Sequence, residues 1–220
     1  ELDLSYMNLW GTDLRNTNIK KINLDYTNLK EANLNEANLS EVFFLGANFL
    51  GVSLVKANLE RIYINNINLR EANLREANLR EANLNGASLE KANLAEANLE
   101  RIHLVDANLK RANLEKTNLM GSLLVNSNLM YANLRKADLM GADLTEANLT
   151  GANLMETNLA LVDLTHVNLE NAKLKETIID ECCINELENK YNLQLVKIYL
   201  SLTQEIITYE EYYERKRRCN

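Results

Sequence analysis

Two histidines, His103 and His166, and three cysteines, Cys182, Cys183 and Cys219, are the side chains of this 220-residue chain best suited to metal binding or nucleophilic chemistry. A catalytic or metal site needs several such groups converging on one point. Here no nucleophile is paired with a base, and no Gly-rich run has phosphate-binding spacing. The expectation is therefore no catalytic residue, no metal ligand and no cofactor. The adjacent Cys182 and Cys183 lack the geometry for an easy mutual bridge, and free thiols fit a reducing cytoplasm.

What remains is surface chemistry, and the backbone must arrange it. The chain carries a formal charge of −7, with 46% apolar but only 6% aromatic residues, so small aliphatics must build the core. No apolar run approaches membrane-spanning length, and the start, Glu1 to Leu4, has no leader-like pattern, so a soluble protein is expected. Glu1 already lies in the repeat frame described next, which leads to the expectation that the natural chain begins earlier.

From Leu4 to Ile179 every fifth residue is Leu, Ile or Phe, at all 36 positions of the frame. The residue two before it is usually Ala, and the one before it is Asn or Asp at 28 of the 36 sites. The next two positions vary and are mostly polar. A period of five fits neither the 3.6 of a helix nor the 2.0 of a strand. It predicts a solenoid whose units bury nothing alone and gain stability by stacking, with Leu and the small residue inward. All seven glycines fall at the second position after the Leu, which predicts a turn there whose third residue has positive φ.

Units such as Ala72-Asn73-Leu74-Arg75-Glu76 and Ala77-Asn78-Leu79-Arg80-Glu81 resemble the A(D/N)LXX repeat of pentapeptide-repeat proteins, over residues 2 to 179. The resemblance implies a right-handed quadrilateral parallel β-helix of four units per coil, about nine coils in a rod roughly 40 Å long at the usual sheet spacing. Charge tests the 20-residue coil independently. Lys21, Glu41, Arg61, Glu81 and Arg101 alternate in sign at that spacing, as do Glu60, Arg80 and Glu100. Such exposed pairs serve register and solubility more than stability. Three coils then separate the two histidines, about 15 Å, which excludes a shared metal.

Sorted by coil position, one face differs. It holds Phe43, Tyr63, His103 and Leu123 where the frame has Asn, and Leu45, Val105 and Val125 just after the inward Leu-type residue, with Tyr6 and Tyr26 alongside. It has no Lys or Arg and six acids: Asp3, Asp25, Asp106, Asp143, Glu146 and Asp163. An exposed apolar stripe of this kind is a candidate protein-docking surface. Two other readings stay open: a different turn type at these corners, since Val42, Ile62 and Ile102 are also large, or packing of the C-terminal segment onto the stripe.

The frame ends at Ile179, dividing the chain into a β-helix, residues 1–179, and a small, mainly α C-terminal cap, residues 180–220. Ile184, Leu187 and Tyr191 have helical spacing, with Asn192 as a stop. Residues 193–202 suit strand or helix equally. Thr208 to Glu211 has capping-box spacing, which predicts a final helix ending in the basic run Arg215 to Arg218.

These readings lead to a non-enzymatic scaffold rod that offers one apolar, acidic face to a protein partner or a second copy. Nothing in the sequence calls for a membrane, a nucleic acid or a small-molecule substrate. The alternative comes from the resemblance, because some members are acidic rods that mimic DNA and bind DNA gyrase, giving quinolone resistance. Six acids over roughly 40 Å fall far short of the one charge per ~1.7 Å of a duplex, and the unbroken frame lacks the projecting loops of several gyrase-protecting members.

Overall fold

The computed structural model of the chain describes residues 3–193 and 196–219. Glu1, Leu2, residues 194 and 195 of the ambiguous segment, and Asn220 lie outside the described residues. The backbone winds with a period of 20 residues. Parallel bridges join Asp3 to Asn23, Asn8 to Asn28, Asp13 to Asn33 and Asn18 to Asn38, and continue in these four series along the chain to Asn153 and Lys173. Each coil binds the next in both directions: Leu4 N–H donates to Asn23 C=O at 2.9 Å, and Asn28 N–H donates to Met7 C=O at 3.0 Å.

The five positions divide as the period requires. Leu74 and Ala72 are both buried at 1% exposure, whereas Arg75 at the corner is exposed. Burying one Leu contributes roughly 1.5–3 kcal/mol, so a column repeated coil after coil supplies the stability that no single unit has. At every corner from Leu4 to Leu174 except the one after Ile64, the N–H of the next inward residue closes a turn on the frame carbonyl, as Ala77 does on Leu74 at 3.1 Å. The third turn residue has positive φ at every corner from Tyr6 to Glu176 except His166, glycine or not. That conformation costs a non-glycine residue about 1–2 kcal/mol. It is offset where the turn N–H reaches the following coil, as Glu76 reaches Ala95 C=O at 3.0 Å.

The frame Asn performs two tasks. Its Oδ1 accepts the N–H two residues on, as Asn73 does from Arg75 at 3.3 Å, which fixes the corner locally. Its Nδ2 donates to the Asn one coil earlier, as in Asn58 to Asn38 at 3.2 Å and Asn113 to Asn93 at 3.1 Å. The charge columns form as the 20-residue spacing predicts: Arg61 pairs with Glu81 at 2.7 Å, and Arg80 lies between Glu60 at 3.5 Å and Glu100 at 3.3 Å.

The C-terminal region extends the solenoid with strands as well as helices. Strand β1, Asn158–Leu159, pairs in parallel with β2, Ile178–Asp180. Strand β3, Lys197–Leu200, adds in parallel to β2, and β4, Glu205–Thr208, runs antiparallel to β3. The open segment therefore contains a strand, because β2 leaves an unpaired edge on the last coil and Ile198 buries itself completely against it. The cap thus includes a hairpin beside its helices.

The helical spacing of Ile184 and Leu187 is realised only as the short helix α1, Ile184–Leu187, entered through a 3-10 turn at Glu181–Cys183. Both residues are buried, and the Tyr191 hydroxyl accepts from Leu169 N–H at 3.2 Å. Helix α2, Tyr209–Cys219, begins with the predicted capping box: Glu211 N–H donates to Thr208 Oγ1 at 3.2 Å, and Thr208 N–H to Glu211 Oε2 at 2.8 Å. Among the described residues no helix is long and apolar enough to cross a membrane.

Candidate protein-docking face

The series of bridges starting at Asp3 contains Phe43, and its continuation Tyr63–Asn83–His103–Leu123–Asp143 contains the other three bulky residues, so all four share one face. Phe43 is 65% exposed, Leu45 63% and Tyr63 71%; His103 is also exposed, while Val105, Leu123 and Val125 are half-buried. Tyr6 and Tyr26 stack beside them, ring centroids 5.0 Å apart. Phe43, Leu45 and Tyr63 thus form the prominent end of the stripe, and Val105, Leu123 and Val125 a flatter end.

This is also the face whose bridges are interrupted. The other three series run without a gap, whereas here no bridge joins Phe43 to Tyr63 or Asp143 to Asp163. At the first gap the interior is unusually full, because Phe44 and Phe49 meet edge to face at 4.9 Å between Val42, Ile62, Ile64 and Ile67, all buried. Overfilling a close-packed core displaces backbone. The coils part into a cleft of about 480 Å³ lined by Phe44, Leu45, Gly46, Ile64, Asn65 and Ile67, among others. The N–H groups of Phe44 and Gly46 make no backbone hydrogen bond across it, unlike those of Leu24 and Tyr26 one coil earlier, which reach Phe43 and Leu45 carbonyls at 2.9 and 2.7 Å.

Replacing the frame Asn removes a local acceptor, and at Phe43 and His103 a residue one coil earlier takes over. Leu45 N–H donates to Asp25 Oδ1 at 2.6 Å, and Val105 N–H to Asn85 Oδ1 at 2.9 Å. The same substitution of roles occurs at Ser53 on another face, where Asn35 serves Val55 at 2.9 Å. Sequence reasoning missed these relays. The signal was present as an Asx residue 18 positions before Phe43, Ser53 and His103, whereas Tyr63 and Leu123 have Leu45 and Val105 there and no such relay.

The turns after Phe43, Tyr63, His103 and Leu123 keep positive φ at Gly46, Asn66, Asp106 and Asn126, as elsewhere, so a change of turn type does not account for the bulk. Nor does the C-terminal segment cover the exposed end, since it continues the β1–β2 series on the neighbouring face. Of the basic run, Arg215 pairs with Glu205 at 2.7 Å, and Lys216 reaches Asn185 at 3.2 Å and lies over the Tyr212 and Tyr213 rings. His103 and His166 are both exposed, and no group of three His, Cys, Asp or Glu side chains able to hold a metal occurs among the described residues.

Comparison with known proteins bears on the frame more than on the face. The family model for pentapeptide repeats matches in eight copies, spanning residues 27–66, 67–104, 87–124, 107–145 and 142–180. No curated protein matches the chain. Among solved structures, a trypsin-treated variant of QnrB1, a plasmid-mediated fluoroquinolone resistance protein, is 17% identical with a TM-score of 0.58, covering 81% of this chain and 95% of its own. A second trypsin-treated QnrB1 variant is 18% identical with a TM-score of 0.51, covering 86% and 95%. HetL from the cyanobacterium Nostoc sp. strain PCC 7120, involved in heterocyst differentiation regulation, is 29% identical over 81% of this chain and 91% of its own, with a TM-score of 0.36. At the identities of the QnrB1 structures the likeness shows the fold alone.

Proposed function

Because the chain belongs to the pentapeptide-repeat family, we propose that it is a non-enzymatic interaction rod whose one apolar, acidic face docks a protein partner or a second copy. We take the winding as nine right-handed coils in a reducing cytoplasm. The observation that carries the reading is the pairing of exposed Phe43, Leu45 and Tyr63 with a face free of Lys and Arg, on a rod whose corners elsewhere carry paired charges. Apolar side chains that leave water on docking supply affinity, roughly 25 cal/mol per Å² of apolar area. Acids without neighbouring cations favour a basic partner surface. Replacing Phe43, Tyr63 and Leu123 together by alanine should leave the circular-dichroism spectrum unchanged and abolish the contact. Binding or self-association that survives the triple change sinks the reading.

The acid-only face and the fold shared with QnrB1 support one second reading, a gyrase-directed DNA mimic. Its charge density is the obstacle: six acids along roughly 40 Å against one charge per ~1.7 Å of duplex. Inhibition of gyrase supercoiling by micromolar protein would promote it above the first.

A further inference from the structure

We propose that Cys182 and Cys183 form a two-sulfur site for a monosubstituted trivalent arsenical, at the joint between the last coil and the C-terminal hairpin and helices. The site is independent of the docking face. The two sulfurs lie 3.5 Å apart as free thiols. Cys182 is exposed and Cys183 is buried, its S–H directed at Val162 C=O at 3.5 Å.

The backbone holds this spacing. Buried Asp180 accepts Cys182 N–H at 3.1 Å and Leu161 N–H at 3.3 Å, which ties the 3-10 turn to the preceding coil, and buried Ile184 anchors its other end. An atom bonded to both sulfurs at about 2.3 Å, a usual metal–thiolate length, subtends about 100° between them. A linear two-coordinate cation would instead need the sulfurs about 4.6 Å apart on opposite sides. A structural zinc ion needs four ligands, yet no cluster of three such side chains exists among the described residues, and both Asp180 oxygens are occupied by backbone N–H groups. A pyramidal arsenic carrying its own organic substituent requires two sulfurs at close to this angle and nothing more.

The reaction is a condensation without redox change. The dihydroxide R–As(OH)2 loses both As–O(H) bonds and gains two As–S bonds, and the two thiol protons leave with the hydroxyls as two waters. Partial burial and the hydrogen bond with Cys183 push the Cys182 thiol up to about 12. Oxidation and alkylation, which need thiolate, are correspondingly disfavoured. Cys182 is the entry point and Cys183 closes the chelate.

The test is intact-protein mass spectrometry of the full chain with phenylarsine oxide in excess glutathione. One equivalent should be retained on the wild type and on Cys219→Ser, and stripped by a 1,2-dithiol. Cys182→Ser, a change at an exposed position, should lower the retained fraction at least tenfold with an unaltered melting curve, and Cys183→Ser, at a buried position, should lower the retained fraction as well. The triple alanine variant of the docking face should retain the arsenical, so failure of one proposal does not touch the other. Wild type that does not hold the arsenical against glutathione, or Cys182→Ser that does, overturns the site.

Discussion

The Asp25 carboxylate accepts the backbone N–H of Leu45 at 2.6 Å, doing from one coil earlier what the frame Asn would do had Phe43 not replaced it. The two positions are therefore coupled across 18 residues of sequence. Asp25→Ala should destabilise the chain by about 1–2 kcal/mol in urea unfolding, in the range for a hydrogen bond to a charged group at a partly exposed site, while Asp25→Asn changes little. In a Phe43→Asn background the local acceptor returns, so the Asp25→Ala cost should fall to near zero. Additive costs in this double-mutant cycle would show that the relay contributes nothing.

The sequence made the corners legible because a five-residue period and charge alternation at 20 are local or strictly periodic signals. Lys21, Glu41, Arg61 and Glu81 could be stacked on paper and do stack, with Lys21 on Glu41 at 3.5 Å and Arg61 on Glu81 at 2.7 Å. Other features depend on partners distant in sequence. Ile198 lies in a strand because β2 offers a free edge, which no window around residue 198 reveals. The parting of the coils near Phe44 arises from the summed bulk of Phe44, Phe49, Ile64 and Ile67, and the amide ladder from Asn38 to Asn58 needs the coil geometry first. The loss of positive φ at His166 has no account in local sequence.

Ser122 and Ser127 occupy the small inward position, fully buried, with hydroxyls that have no partner. Thr157 and Thr177 at equivalent positions bond to Leu134 and Leu154 carbonyls at 2.7 and 2.6 Å. Since an unpaired buried hydroxyl costs about 1–3 kcal/mol, Ser122→Ala and Ser127→Ala should each stabilise the protein by about 1 kcal/mol and raise Tm by ~2–4 °C in calorimetry. A fall in Tm for both would mean that the hydroxyls are satisfied.

Acid should weaken the charge columns. The Arg61 guanidinium, hydrogen-bonded to Glu81 at 2.7 Å, holds that carboxyl below the ordinary glutamate range. A depressed folded-state value makes the contribution complete above the unfolded value, ~4.3, and removes it as pH falls through the lowered one. Glu81→Gln should therefore melt below the wild type at pH 7, with the difference closing as pH falls through the lowered value and shrinking in high salt. A difference that persists unchanged at low pH would assign the loss to packing.

The central claim is that one side of the rod, and not its charged corners, meets another protein. A photo-crosslinking amino acid placed at Tyr63, and in a second variant at Arg80, compares the two surfaces directly on the folded chain in whole cells. The account predicts one discrete adduct from position 63 that Phe43→Ala with Leu123→Ala eliminates, and none from position 80. Equal adducts from both positions, or an adduct from position 80 alone, would contradict it.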